Sequence, residues 1–201
     1  MKINNEWPNI QNQITKIQAN CVNLNISPTL VALLIAAEDH RFGSHPGVDP
    51  ISLLRAIWKT IFCGKREGGS TIAMQLVRVI TGRYERTVRR KITEIYYAIR
   101  LTRLLPEHEI PKIYLSMAYF GWHMNGLKQA CNRLELNPSS ISIKNASNIV
   151  ARLKYPEPCQ IDASRHSKII KRANHIIRRH ETLLLTSPKF KLYMCKYNGS
   201  F

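Results

Sequence analysis

Apolar residues recur along the chain at helical spacing, and no stretch alternates between apolar and polar residues with the period of a β-strand. The first strong element is an apolar run over residues 30–37, preceded by Ser27 as a predicted N-cap and by Pro28 at the first helical position. This run is too short to cross a membrane. The pattern predicts a mostly α fold. Further helical patterns occupy residues 51–61, 72–80, 84–105, 108–119, 126–133, 142–153 and 164–182.

The chain divides into three predicted segments. Residues 1–26 are polar with scattered isoleucines and suggest a short helix, residues 27–182 form one domain, and residues 183–201 form a basic C-terminal tail. A length of 201 residues suits one domain with a substantial core, and an apolar content of 44% excludes a disordered chain. We expect neither a signal peptide nor a membrane-spanning helix in the first segment. A basic loop is predicted at residues 65–69.

The charge of the chain is strongly positive. It contains 30 Lys and Arg residues against 13 Asp and Glu residues, which gives a formal net charge of +17. Such an excess indicates an anionic partner, which could be nucleic acid, anionic lipid or a phosphorylated substrate. The 5 cysteines are scattered and form no Cys-x-x-Cys pair, which argues against a disulfide framework or a zinc site.

Two adjacent carboxylates, Glu38 and Asp39, follow the apolar run and precede a turn rich in glycine and proline that contains Phe42 and His45. Acidic side chains are unfavourable at a helix C-terminus, where the helix dipole is negative, so local helix propensity does not explain them. A carboxylate held in such a place is a candidate for proton transfer. The alternative is an ordinary solvated Glu-Asp pair.

Two glycines before a Ser-Thr pair open the helix predicted at residues 72–80. Amides and hydroxyls exposed at the positive end of a helix form a local anion site, although no Walker motif is present. Gln75 and Arg78 lie one turn further into the same helix, three residues apart, and share one of its faces. A plain helix cap is the alternative interpretation. The residues of this second block are Gly68, Gly69, Ser70, Thr71, Gln75 and Arg78.

A third block lies in the helix predicted at residues 84–105. Arg86, Arg90 and Glu94 are spaced by four residues and would form one polar stripe, with Lys91 beside it. Arginine forks match phosphate oxygens in geometry and charge. The alternative is a solvated face of salt bridges, which is common and contributes little stability.

In order along the chain, the three blocks read Glu-Asp-x-x-Phe-x-x-His-x-Gly, then Gly-Gly-Ser-Thr-Ile-x-x-Gln, then Arg-Lys-x-x-Glu. Together they resemble the peptidoglycan glycosyltransferases of family 51, the transglycosylase domains of bifunctional penicillin-binding proteins and their monofunctional relatives. The resemblance covers roughly residues 28 to 180. It implies a mostly α, lysozyme-like single domain and an enzyme that polymerises lipid II into β-1,4 glycan strands, with release of undecaprenyl pyrophosphate.

The resemblance also implies roles for individual residues. Glu38 would be the general base that takes the proton from the 4-hydroxyl of the acceptor sugar. Glu94 would be the second catalytic residue and would face the donor pyrophosphate, with or without a divalent cation (Mg²⁺ or Mn²⁺), although no set of metal ligands is assigned. The implied substrate-binding residues are Asp39, Phe42, His45, Gly69, Ser70, Thr71, Gln75, Arg78, Arg86, Arg90 and Lys91.

Several positions depart from the family pattern. Arg78 stands where lysine is usual, which is a mild change for phosphate binding. Met74, Thr93, Ser116 and Asn145 each replace a residue type that is common in the family. These departures lead us to expect a narrowed or reduced activity.

The partners implied by the resemblance are lipid II and the growing glycan strand, an anionic membrane surface and other cell-wall synthesis proteins, whereas nucleic acid is not expected. The implied location is peripheral, in the periplasm or on the outer face of the cytoplasmic membrane. A basic amphipathic helix at residues 165–179 would either rest on anionic headgroups or close the core of the domain.

Two other functions stay open. A lysozyme-like hydrolase would use the same carboxylates on finished glycan, but hydrolysis needs no pyrophosphate site. A non-catalytic basic module could bind nucleic acid or anionic membrane with a degenerate transglycosylase fold. The charge of the chain favours this module, whereas the retained Glu38 and Glu94 favour the glycosyltransferase.

Overall fold

The structure is a computed structural model that describes residues 6–21, 25–64, 68–160 and 162–197. Within these residues the chain forms ten α-helices, a short 3-10 helix at Glu107–Glu109 and a hairpin of two short strands, β1 (Tyr119–Gly121) and β2 (Met124–Asn125). The mostly α prediction is confirmed. The helices are α1 (Trp7–Cys21), α2 (Pro28–Glu38), α3 (Pro50–Phe62), α4 (Ile72–Thr81), α5 (Val88–Leu104), α6 (Ile110–Met117), α7 (Leu127–Arg133), α8 (Ile143–Lys154), α9 (Ala163–Thr186) and α10 (Pro188–Tyr197).

Helix α2 is the centre of the core. All residues from 30 to 37 are buried, and α6, α8 and α9 pack around them. A helix that is apolar on every side has to be covered on every side. The Ser27 side chain caps it by accepting a hydrogen bond from the Thr29 amide at 3.2 Å. Because α2 ends at Glu38, this rigid helix presents its two carboxylates at the edge of the core.

Helix α4 packs against α5 and α6. Thr71 is its N-cap, and Gly82, with φ of 63°, ends it in the left-handed region that favours glycine. The predicted start of the next helix was wrong, because α5 begins at Val88 behind the Thr87 cap rather than at residue 84. The Thr87 hydroxyl accepts the Arg90 amide at 3.1 Å, so a polar cap sets this boundary and the spacing of apolar residues does not.

The N-terminal helix belongs to the core. Trp7, Ile10 and Ile14 on α1 are buried, and the Trp7 ring stacks on the Tyr97 ring of α5 with centroids 5.9 Å apart. The sequence predicted a short helix here without assigning its packing. The residues between α1 and α2, numbers 22–24, lie outside the described part, as do residues 65–67 of the predicted basic loop.

The C-terminal segment, which the sequence suggested as a basic tail, is helical as far as residue 197. Helix α9 packs on α2 and α8 through the buried Ile169, Ala173 and Ile176, so it closes the core. Helix α10 then folds back onto α9 and buries Phe190 and Met194.

Helix α3 has the opposite character to α2. Its apolar residues follow helical spacing, but only Ala56 is buried, and Leu54, Trp58 and Phe62 are 66%, 61% and 66% exposed. The rings of Trp58 and Phe62 lie 4.1 Å apart at the surface. None of the described helices is both long enough and apolar enough to span a bilayer.

The hairpin lies between α6 and α7, where the sequence pattern predicted no strand. Its strands have three and two residues, too few for an alternating pattern to appear in the sequence. Gly126 turns the chain at φ of 81°, and a Cβ at this position would lie 2.2 Å from the Ser116 carbonyl oxygen, so only glycine fits.

Candidate functional site

A cavity of about 630 Å³ lies where the C-terminal end of α2 meets the first turns of α3 and α4 and the polar face of α9. The described residues around it include Glu38 and Asp39 of the first sequence block and all six residues of the second block. The lining residues from these two blocks are Glu38, Asp39, Gly68, Gly69, Ser70, Thr71, Gln75 and Arg78. The fold therefore brings together two blocks that are about thirty residues apart.

Glu38 is held between α4 and α9, with 19% of its side chain exposed. Gln75 donates from Nε2 to Glu38 Oε2 at 3.0 Å, and Tyr114 donates its hydroxyl proton to Gln75 Oε1 at 2.7 Å. Arg172 approaches the other carboxylate oxygen, with Nη2 3.4 Å from Oε1. One oxygen of Glu38 is thus oriented by a neutral amide, while the other faces a more distant cation across the cavity.

Asp39 fastens the turn that follows α2 to the start of α4. It is buried, its Oδ2 accepts the Ile72 amide at 3.1 Å, and its Oδ1 lies 2.9 Å from His45 Nε2. Thr71 adds a second link by donating from Oγ1 to the Gly47 carbonyl oxygen at 2.6 Å. Burial alone would lower the pKa of His45, but the Asp39 carboxylate outweighs it and raises that pKa above its usual value.

Phe42 and His45, both predicted to bind substrate, shape this turn and are not among the residues that line the cavity. Phe42 is buried and packs edge-on against the Tyr193 ring at 5.4 Å. Its ring also meets the His45 ring at 90°. Phe42 and His45 therefore stabilise the turn that follows Glu38 and Asp39 and do not face the cavity.

Gly69 lets two helices approach closely. A Cβ here would lie 2.8 Å from the Ala56 Cβ and 3.0 Å from the Ser52 carbonyl oxygen, so a larger residue would push α3 away from the start of α4. The glycine therefore closes the wall of the cavity, and Ser70 and Thr71 follow it directly.

Glu94 is buried among cations and has 3% of its side chain exposed. Arg78 donates to it from Nε at 2.7 Å and from Nη2 at 3.3 Å, and Arg90, one turn earlier on α5, donates from Nη1 to the same carboxylate. Ser70 Oγ accepts from Lys91 Nζ at 2.9 Å. Burial, together with the nearby Arg78 and Arg90, lowers the pKa of Lys91 to about 8, although Glu94 opposes this shift.

The far wall of the cavity is also basic, which sequence reasoning missed. The Arg179 guanidinium lies 2.9 Å from His40 Nδ1, and burial, followed by the charges of Arg179 and Arg55, lowers the pKa of His40. Arg172 and Arg179 are seven residues apart and so share one face of α9. That spacing was visible in the sequence, which only left this helix open between resting on anionic headgroups and closing the core. The cavity residues not predicted as site residues include His40, Arg55, Lys154, Arg172 and Arg179.

A sequence model of the transglycosylase family matches residues 8–181. The chain belongs to the transglycosylase family. The described structure also confirms the fold class expected for this family, mostly α and lysozyme-like.

Similar proteins include several penicillin-binding proteins. Penicillin-binding protein 1A of Escherichia coli (strain K12) is 42% identical over 106 residues, which are 52% of this chain and 12% of that protein. Penicillin-binding protein 1C of the same strain is 32% identical over 140 residues, 69% of this chain and 18% of that protein. Penicillin-binding protein 1A of Rickettsia prowazekii (strain Madrid E) is 29% identical over 160 residues, 77% of this chain and 20% of that protein. The transglycosylase chain thus matches a fifth or less of the length of these relatives.

The third sequence block of this transglycosylase is only partly assembled. Arg90, Lys91 and Glu94 lie together on α5, but Arg86 is exposed and precedes the Thr87 cap. The predicted stripe from Arg86 to Glu94 is therefore wrong at its first member, because Arg86 lies outside the helix whose spacing defined the stripe.

Four departures from the family pattern, Met74, Thr93, Ser116 and Asn145, lie away from the cavity of this transglycosylase, whereas the fifth, Arg78, lines it. Met74 and Thr93 are buried, and the Thr93 hydroxyl donates to the Arg89 carbonyl oxygen of its own helix. The Ser116 hydroxyl likewise donates to the Lys112 carbonyl oxygen. Asn145 lies in the first turn of α8, where its amide bonds the Ser142 cap.

The part of the chain that the structure describes offers no ready set of carboxylate and imidazole ligands for the divalent cation implied by the resemblance. Among the described residues no group of three or more His, Cys, Asp or Glu side chains could hold a metal ion. Glu94, the carboxylate proposed for a divalent cation, is already bonded by Arg78 and Arg90. Two positive charges at this carboxylate oppose the binding of a third.

Proposed function

We propose that the chain is a peptidoglycan glycosyltransferase that polymerises lipid II into β-1,4 glycan strands and releases undecaprenyl pyrophosphate. The observation that carries this proposal is the position of Glu38, oriented by Gln75 in a cavity whose other ionisable residues are mostly cations. Such a site offers a proton acceptor beside a region that attracts a diphosphate.

Glu38 would act as the general base. Its carboxylate takes the proton of the acceptor 4-hydroxyl as that oxygen forms a bond to C1 of the donor sugar. The bond between C1 and the pyrophosphate oxygen breaks at the same time, with inversion at C1, and its electron pair leaves with the diphosphate. The Gln75 amide fixes the orientation of the carboxylate, and Tyr114 fixes Gln75. Such an arrangement holds the base in position before the substrate arrives.

The cations would bind the diphosphate and stabilise the charge that develops on it. Five described Arg and Lys side chains line the cavity against three carboxylates, so its lining is positive overall. Arg78 has a donor group near Ser70 and is held in place by Glu94. We therefore assign Arg78 and Ser70, which line the cavity, to the diphosphate, together with Lys91, whose Nζ donates to Ser70. Glu94 would orient the cations.

This charge distribution is also the argument against a hydrolase. Finished glycan carries no diphosphate, so a hydrolase gains nothing from a cationic wall. Glycoside hydrolysis also requires a second carboxyl group that flanks the bond to be broken. Glu94 is a poor candidate, because it is buried against Arg78 and Arg90.

The exposed apolar face of α3 supports an anionic membrane surface as a partner. Large apolar residues cover this helix beside Arg55 and Lys59, and the chain as a whole carries a charge of +17. A basic helix with exposed apolar residues is suited to lie in the interface of an anionic bilayer. We propose peripheral attachment through α3 on the side of the cytoplasmic membrane where lipid II is polymerised, so that the lipid tail of the substrate stays in the bilayer.

Incubation with lipid II, followed by gel electrophoresis of the glycan, tests the proposed reaction. We expect a ladder of glycan strands with the parent protein and none with the Glu38→Gln variant. Finished glycan and duplex DNA are the controls. Digestion of finished glycan would instead support the hydrolase, and tight binding of DNA without turnover would support the non-catalytic module.

Co-sedimentation with vesicles tests the membrane surface. We expect binding to vesicles that contain anionic lipid and loss of most of it at about 0.5 M salt, where electrostatic attraction acts only over a few ångströms. Leu54→Ser with Trp58→Ala should weaken binding. Leu185→Ser is the matched control, because Leu185 is 87% exposed but lies on α9. Equal effects of the two sets of changes would contradict attachment through α3.

A further inference from the structure

The family match ends at residue 181, yet the structure continues with the end of α9 and with α10. Ser187 joins the two helices. Its amide donates to the Leu183 carbonyl oxygen at 2.9 Å and its hydroxyl accepts the Phe190 amide at 3.3 Å, so one residue ends α9 and caps α10. Helix α10 is therefore folded back in a defined direction, and its buried side chains join the core.

Helix α10 places the Tyr193 ring on the turn that follows Glu38. The ring meets Phe42 edge-on at 5.4 Å, and its Cδ2 lies 3.0 Å from the position that a Cβ on Gly43 would occupy. Gly43 has φ of 73°, so this part of the turn adopts a conformation that favours glycine, and the aromatic ring packs directly on its backbone.

From this contact a continuous chain of packed groups runs into the proposed active site. The Phe42 ring meets the His45 ring, and His45 bonds Asp39, the residue after Glu38. Asp39 in turn accepts the Ile72 amide at the start of α4, the helix that carries Gln75. The position of the turn is thus coupled to both ends of the hydrogen bond that orients Glu38.

We propose that α10, through Tyr193, is a positioning element of the active site that lies outside the matched family domain. The Tyr193 ring presses the turn against the start of α4, which keeps the carboxylate of Glu38 and the amide of Gln75 aligned. Tyr193 does not line the cavity, so it acts through Phe42, His45 and Asp39. This inference rests on the proposed function only for its consequence on turnover.

The test compares Tyr193→Ala with Tyr193→Phe in the full chain. We expect the alanine variant to lose between about 10- and 100-fold in kcat for lipid II, a loss typical of a displaced catalytic group, while KM changes little. The phenylalanine variant keeps the ring and should restore the parent rate. Leu192→Ala is the control on the same helix, because Leu192 is 52% exposed. Ile10→Ala on α1 serves as a control for a loss of stability alone.

A second measurement is independent of turnover. Titration of His45 by NMR, with its signal identified by loss in His45→Gln, reports on the contact with Asp39. The other charged groups that act on His45 are Asp49 and Glu107, and neither changes in these variants. We expect the pKa of His45 to be raised in the parent and in Tyr193→Phe, and to return toward its usual value in Tyr193→Ala.

The two measurements separate the possible failures. An unchanged His45 titration in folded Tyr193→Ala would overturn the positioning role, and so would a shifted titration with parent kcat. If the parent protein does not polymerise lipid II at all, the proposed function fails, whereas the titration still decides whether α10 positions the turn. A loss of kcat in Ile10→Ala as large as in Tyr193→Ala would show a general loss of stability and would also overturn the inference.

Discussion

Helix α4 contacts two glutamates, Glu38 at the end of α2 and Glu94 on α5, and the two contacts differ in charge. Its Gln75 reaches Glu38 at the end of α2 through a single neutral hydrogen bond, whereas its Arg78 reaches Glu94 on α5 through two charged ones. The Glu38 side chain is 19% exposed and that of Glu94 is 3% exposed. A base needs an oxygen that can accept a proton, and a residue that orients cations needs oxygens that are fully occupied. The comparison therefore supports our proposal that Glu38 transfers the proton and that Glu94 orients the cations.

The largest effect is expected from Glu38→Gln. Glutamine keeps the size and the hydrogen-bonding capacity of the side chain but cannot take a proton at neutral pH. Loss of a general base typically costs about 10²–10⁴ in rate, so turnover of lipid II should fall by this amount while donor affinity stays near that of the parent. Single-turnover rates and donor binding, measured on the same preparation, check both parts. Turnover close to that of the parent would show that Glu38 is not the base.

Glu94→Gln should act on donor binding, rate and stability together. The change leaves Arg78 and Arg90 facing a neutral group. Removing one partner of a buried ion pair costs about 3–5 kcal/mol, and less here because both arginine side chains keep some contact with solvent. We expect a lower melting temperature, weaker donor affinity and a residual turnover that exceeds that of Glu38→Gln. Glu85→Gln is the control, because Glu85 is exposed. If Glu94→Gln lost all turnover with normal donor affinity, the two glutamates would not differ as we propose.

These two regions were not equally predictable from the sequence. The apolar run, its Ser27 cap and the two carboxylates at its end identified α2 and Glu38, because a fully buried helix is apparent from composition alone. The link from Asp39 to the Ile72 amide was not predictable, since it joins residues more than thirty positions apart that meet only in the folded chain. Sequence spacing predicts which residues are neighbours within one helix, but it does not predict which residues of different helices come into contact.

The Glu94 region shows the same limit in another form. Spacing by four correctly paired Arg90 with Glu94 but included Arg86, because the pattern did not reveal that the Thr87 cap starts the helix. It also missed Arg78 as the partner of Glu94, a pairing between α4 and α5. On α9, the burial of Ile169 and Ile176 follows from periodicity, whereas the approach of the polar face to Glu38 depends on tertiary packing.

A comparison of Arg90→Ala with Arg86→Ala tests the third sequence block. Arg90 contacts Glu94 on α5, whereas Arg86 lies ahead of that helix. Arg90→Ala removes one of the two arginines on Glu94 and should weaken use of the pyrophosphate-linked donor roughly tenfold, as expected for a charged hydrogen bond. Arg86→Ala should behave like the parent, because Arg86 is exposed ahead of α5. Steady-state kcat/KM for lipid II checks both variants, and equal losses in the two would restore the complete stripe.

The smallest expected effect is a change in donor affinity with pH, and it arises from Lys91, which lies in the Glu94 region. Burial is the main cause that lowers the pKa of Lys91 to about 8, so in the free protein this side chain is mostly charged at pH 7 and mostly neutral above pH 8. Only the charged form attracts a diphosphate. Donor affinity should therefore fall as pH rises through about 8, by about fourfold between pH 7 and pH 8.5 for a single group with this pKa.

Lys91→Arg tests this assignment, because arginine stays charged throughout this range. The variant should bind the donor with little change between pH 7 and pH 8.5, and the difference between the two proteins isolates the titration of Lys91. Donor binding is measured at both pH values in proteins that also carry Glu38→Gln, so that no turnover occurs during the titration. Glu38→Gln alone should still show the fourfold change in donor affinity, because the change depends on Lys91 and Glu38 lies on the other side of α4. If the fourfold change in donor affinity persisted in Lys91→Arg, a group other than Lys91 would cause it. The proposal that the cations around Glu94 bind the diphosphate would then lose this argument.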